Sequence, residues 1–186
     1  VLLLIAPIIT MRTFAHEKST GTFETLMTTP VKDGQVVLAK FIGSYLFFLI
    51  AFLPTLSYPF ILEHYAYQPP AVDVRAVLST GLGVALIGAF FMALGCFASS
   101  LTRSQIVAAV LTFALATSLF IAGYLAAVRP SEINWWHQVF QHISMLNHMR
   151  DFATGIVDTR HIIFYLSLTG VLLFLTLKTV ESRHWK

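Results

Sequence analysis

The chain has 186 residues, of which 56% are hydrophobic and only 11% charged, against about 25% charged residues in an ordinary soluble domain, and this speaks against a soluble fold. Its single cysteine leaves no disulfide framework and no cysteine-based metal site within one chain. The net charge of +3 comes from basic residues scattered along the flanks of apolar runs, which fits membrane orientation rather than a nucleic-acid surface.

In chain order, the first residues, VLLLIAPIITMR, are apolar up to Arg12 and start without an initiator methionine. At about 1.5 Å per residue they cross about half of a hydrocarbon core that is ~30 Å thick. The basic end follows the apolar run and no small-residue cleavage site appears, so a signal peptide is a poor fit. The expectation is a fragment that begins inside a helix.

Residues 16–40, HEKSTGTFETLMTTPVKDGQVVLAK, are polar and turn-rich between apolar neighbours. Thr22 can cap a helix, Glu24 sits in its first turn, and Phe23, Leu26 and Met27 form an apolar face at i, i+3 and i+4. Pro30 stops it and KDG at 32–34 supplies a second turn. The pattern predicts a helix of about two turns across the ends of two spans. Such a helix can lie on lipid, pack on its own bundle or dock into a partner's groove.

Four apolar segments long enough to cross a bilayer follow, at 41–62, 76–101, 104–128 and 162–177, each free of Asp, Glu, Lys and Arg. At membrane depth only helices satisfy the backbone of runs this long. The predicted fold is an all-α polytopic bundle with five spans in this chain, the first incomplete. Pro54 and Pro59 interrupt the first full span, where a tolerated membrane proline is the simplest reading. Small residues recur every fourth position as Gly81, Ala85, Ala89 and Ala93, and again as Ala114, Ser118, Ala122 and Ala126, a spacing that lets helix backbones approach. Cys96 reads as a small packing residue.

Between the last two spans, INWWHQVFQHISMLNHMR is amphipathic, with Ile133, Trp136, Val139, Phe140, Ile143 and Leu146 at helical spacing. It is expected to form an interfacial helix or shallow re-entrant lid. Placing the 12–40 loop, the 102–104 turn and the C-terminal tail on one side collects Arg12, Lys18, Lys32, Lys40, Arg103, Lys178, Arg183 and Lys186, against Arg75, Arg129, Arg150 and Arg160 opposite. The richer side is expected to be cytoplasmic.

Several chemistries lack their residues. KSTGT does not have the order or spacing of a phosphate loop, and HEKST has Thr20 where a zinc protease needs its second histidine. No nucleophile elbow occurs. His137, His142, His148 and His161 are read as polar interfacial residues, since a spacing of five between the first two suits one helical face poorly. The spans contain no Asp, Glu or Lys, the residues that commonly mark a proton or ion relay, which weakens the case for a proton-driven transporter.

The run from Pro7 to Lys40 resembles the signature region of ABC-2 type transporter permeases, through Pro7, Met11, Arg12, Glu17, Lys18, Gly21, Thr22, Glu24, Leu26, Pro30 and Lys40 in order. The closing stretch DFATGIVDTRHIIFYLSLTGVLLFLTLKTVESRHW, with Phe152, Gly155 and Asp158, resembles the branch related to gliding-motility and copper-enzyme maturation permeases. The likeness covers most of the chain and departs from the family in lacking the first span, so residues 1–186 are expected to be one ABC-2 transmembrane domain without it, six spans being implied for the whole protein.

The resemblance implies the permease subunit of an ATP-driven exporter in the bacterial cytoplasmic membrane. Its partners would be a second permease subunit, identical or not, and cytoplasmic ABC ATPase subunits that hold ATP and magnesium. The chain itself would be no enzyme, hold no cofactor or metal and bind no nucleic acid. Glu17, Lys18, Gly21, Thr22, Phe23, Glu24, Leu26, Met27 and Pro30 would couple it to the ATPase, with Phe23, Leu26 and Met27 filling a cleft and Glu17, Lys18 and Glu24 as rim charges. The competing readings are a non-transporting membrane scaffold that anchors an ATPase or assembly machine and, third, a secondary transporter.

Overall fold

The computed structural model describes residues 2–22, 32–65, 73–128 and 144–182. They form seven helices: α1 (Leu2–Thr10), α2 (Ala15–Thr20), α3 (Asp33–Tyr65), α4 (Val74–Leu101), α5 (Gln105–Val128), α6 (Met145–Ala153) and α7 (Thr159–Glu181). Four of these, α3, α4, α5 and α7, are long and apolar enough to cross a membrane. All four coincide with the apolar segments expected to span.

The architecture is a bundle around α4, which touches all six other helices. In the most apolar stretch of α4, 67% of residues are buried, against 17% in α3, 22% in α5 and 17% in α7, so α4 is a central post and the others keep a broad apolar face outward. Those outward faces carry residues such as Phe47, Ile50, Val110 and Leu166, the composition that contact with lipid tails demands. The core is built where α1, α3, α5, α6 and α7 meet the post, with Phe48, Ile87, Phe90, Phe91, Met92 and Tyr165 at its centre.

Close approach is achieved at glycines. A Cβ on Gly88 would strike the ring of Phe48 from α3, and one on Gly95 would strike the side chain of Thr10 from α1. Between helices in lipid, packing contacts replace the hydrophobic drive, so these notches decide which helices can sit against the post. Of the expected row of small residues on α4, Ala89 and Ala93 are buried, whereas on α5 Ala114 and Ser118 are exposed.

Helix α3 runs unbroken through Pro54 and Pro59. It starts at Asp33, before the span expected from 41, because Asp33 begins a polar first turn that lies ahead of the apolar run.

At one end of the bundle, Phe14, Val37, Cys96 and Val180 form a second buried cluster. It gathers the approach to α2, the start of α3 and the ends of α4 and α7. The opposite end is closed by α6. Its Met145, His148 and Phe152 are buried at helical spacing, and Ser79 on α4 donates to the carbonyl of Phe152. Gly155 ends this helix at φ +83°, a conformation that glycine alone takes without strain, and the Asp158 carboxylate caps α7 by accepting from Arg160 N–H at 2.9 Å.

The outer interfacial helix expected from Ile133 lies outside the described residues as far as Ile143; its last part enters α6. Two of the four histidines are described, and both are enclosed among other side chains. His148 is 6% exposed, with Nδ1 3.0 Å from the Tyr165 hydroxyl, and its ring lies 4.1 Å from that of His161. His161 Nε2 in turn lies 3.0 Å from the Asp151 carboxylate. Buried imidazoles need such partners, and a carboxylate and a phenol placed on α6 and α7 supply them. Among the described residues no group of three or more His, Cys, Asp and Glu could hold a metal ion.

Candidate functional site at the basic end of the bundle

Six of the described basic residues, Arg12, Lys18, Lys32, Lys40, Arg103 and Lys178, stand at the end of the bundle that carries the second cluster, and three, Arg75, Arg150 and Arg160, at the end closed by α6. The polar loop predicted to couple therefore enters the bundle at its basic end, through the six residues of α2.

Helix α2 is too short to be stable alone, since isolated helices under about 12 residues are marginal. Its stability comes from side chains of other elements. Ala15 and Lys18 are buried, and Phe14, just ahead, is fully buried in the second cluster. Gly21 stops the helix at φ +75°, the left-handed C-terminal position that favours glycine. Thr22 is exposed and its hydroxyl lies 2.9 Å from that of Thr20.

Charged residues tie this segment to α3. Lys40 Nζ donates to the Thr13 carbonyl at 2.6 Å and to Glu17 Oε1 at 2.5 Å, and it stands 5.2 Å from the centre of the Phe14 ring. The ion pair is largely enclosed, with side chains only 18% and 28% exposed. Lys18 Nζ donates to the Ser100 carbonyl at the end of α4. His16 Nδ1 and Gln105 Nε2, at the start of α5, lie 2.8 Å apart. Glu17 and Lys18, expected as rim charges, thus have their charged atoms directed at this chain's own helices.

Removing Lys40 would leave the Glu17 carboxylate and the Thr13 carbonyl without their cation. A fully buried pair broken this way costs about 3–5 kcal/mol and an exposed one under about 1. For this partly enclosed pair Lys40→Met is expected to destabilise by about 2 kcal/mol, more than Glu17→Gln, because the ammonium serves three partners and the carboxylate one. A double-mutant cycle on unfolding in detergent measures both, and a coupling energy near zero would show the pair to be incidental.

Of the residues assigned to ATPase coupling, Glu17, Lys18, Gly21 and Thr22 are described and lie together at this joint, while Phe23, Glu24, Leu26, Met27 and Pro30 lie outside the described residues. Two residues of the joint that motif reading missed are Ser99 and Ser100. Nothing in their local sequence marks them, because their partners are more than eighty residues away.

A family model described as an ABC-2 family transporter protein matches residues 1–180. No curated protein and no solved structure matches the chain. The match takes in nearly the whole bundle, including the joint where Glu17, Lys18 and Lys40 meet. With four helices fit to cross a membrane and that family match over them, the chain is a multi-pass membrane protein that belongs to the ABC-2 transporter family.

Proposed function

We propose that this chain is the permease subunit of an ATP-driven exporter in a bacterial cytoplasmic membrane, of the branch related to gliding-motility and copper-enzyme maturation permeases. Residues 16–40 face the cytoplasm, where they receive movement from an ABC ATPase that binds ATP and magnesium. The chain itself catalyses no reaction. It works beside a second permease subunit.

The observation that carries this reading is the joint itself. A polar loop between two spans is clamped by Lys40–Glu17 and Lys18–Ser100, so a push on the loop moves helices instead of merely flexing the loop. The segment after Thr22, whose sequence carries Phe23, Leu26 and Met27 at the spacing i, i+3 and i+4, supplies the docking surface, and an apolar helix face in a partner's groove is a common recognition mode.

The test is to tag the full-length protein, extract it gently from its own membrane and identify what co-purifies. A stoichiometric ATPase carrying a phosphate loop is expected, and Leu26→Asp is expected to abolish its capture while membrane insertion is unchanged. Recovery of well-folded protein without an ATPase would sink the reading.

A further inference from the structure

The joint contains a reciprocal cap between α2 and α4 that goes beyond tethering the loop. Helix α2 has no capping side chain of its own: its N-cap residue is Phe14. Ser99, in the last turn of α4, does that work across the fold. Its Oγ accepts from Phe14 N–H at 3.1 Å and Ala15 N–H at 3.0 Å and donates to the Met11 carbonyl at 3.4 Å. A hydroxyl has one proton and two lone pairs, and here all three are used. In the other direction α4 has no basic residue in its last turn. Lys18 from α2 brings an ammonium to the Ser100 carbonyl, where the negative end of a helix favours a cation. Both side chains are buried, Ser99 fully and Lys18 to 9% exposure.

We infer that Ser99 and Lys18 are positioning residues that make α4, not the covalently neighbouring α3, the rod that carries the loop's movement to the outer end of the bundle. This rests on the coupling function proposed above. From Ser99 to Ser79 the helix runs about 30 Å at 1.5 Å per residue, and at its far end Ser79 donates to the Phe152 carbonyl and Gly83 receives the Phe152 ring. A displacement of α2 therefore arrives at α6 through one continuous helix, buried along nearly all of its second half. Helix α3, by contrast, keeps much of its surface outward.

The experiment uses the full-length protein assembled with its ATPase in lipid nanodiscs. Spin labels at Leu78→Cys, exposed near the outer end of α4, and Tyr65→Cys, exposed at the end of α3, report the distance between those ends with and without ATP. ATP is expected to change that distance in the otherwise unaltered complex. In Lys18→Met and in Ser99→Ala the change is expected to fall at least about fivefold, the lower range of coupling between distant sites, and in Ser99→Ala the ATPase is expected to stay bound at full stoichiometry. Lys18→Arg, which keeps the cation, is expected to restore it.

Should Lys18→Met fail to fold, Ser99→Ala decides alone, since it removes one oxygen. A full ATP response in Ser99→Ala, or no response in the unaltered complex with the ATPase bound, would overturn the inference and leave the coupling function standing. Absence of any bound ATPase in the unaltered protein would bring down both.

Discussion

Leucine in place of Gly95 is expected to dislodge α1 from the bundle, at a cost of about 3 kcal/mol or more, the upper range for overpacked cores. The reason is local. The first carbon of any side chain there lands on the Thr10 side chain, which is fully buried and bonded by its own hydroxyl to the Ala6 carbonyl at 2.7 Å. Thr10 is β-branched and held by that bond, so the helix itself must move. Because α1 leads directly into Phe14 and α2, the joint at the basic end is lost with it. Gly88→Leu is expected to act similarly against Phe48. Gly43→Leu and Gly170→Leu are the controls: nothing lies within 4 Å of a Cβ at either position, and changes within about 0.5 kcal/mol are expected, as for exposed sites generally. Monodispersity in detergent and unfolding by a graded denaturing detergent measure all four. Equal behaviour of Gly95→Leu and Gly170→Leu would refute the notch.

Phe152→Ala is expected to cost about 3–5 kcal/mol, as for other buried aromatic truncations, and to free α6 from the end of the bundle that it closes. Phe152 is fully buried, and a Cβ at Gly83 would come within 2.6 Å of its ring. The measurable consequence is faster proteolysis within 145–158 while the four long helices remain folded. The partner test is sharper. Gly83→Ala alone is expected to destabilise, but in the Phe152→Ala background it should cost nothing, because the space it needs has been vacated. Strict additivity of the two substitutions would contradict the contact.

The long helices were legible because span formation is a local property. An uninterrupted apolar run of sufficient length has to satisfy its backbone internally wherever it lies in the bilayer, so 41–62, 76–101, 104–128 and 162–177 could be found without knowing what they touch. The polar joint was half legible. Glu17, Lys18 and Gly21 stood out as members of a motif, but their tasks did not: Gly21 is there for its left-handed φ, and Lys18 turns toward α4. The small-residue rows show the same division. Spacing by four marked Ala114 and Ser118 as a packing face, and they are exposed, while the tightest approaches fall at Gly83, Gly88 and Gly95. Periodicity says which residues share a helix face, and it is silent about whether another helix comes to meet that face.

What the sequence by itself determined is thus the membrane-spanning all-α character, the position of the polar loop ahead of the first full span and the ABC-2 family resemblance that the match over residues 1–180 bears out. Only the tertiary structure decided that α4 is the post, that Lys40 finds Glu17 across 23 residues of chain and that Ser99 caps a helix 85 residues away. The physical reason is range. Hydropathy and helix formation are settled by neighbours a few positions apart, whereas a hydrogen bond needs its two atoms within about 3 Å, and distant residues reach that separation only once the packed helices have placed them there.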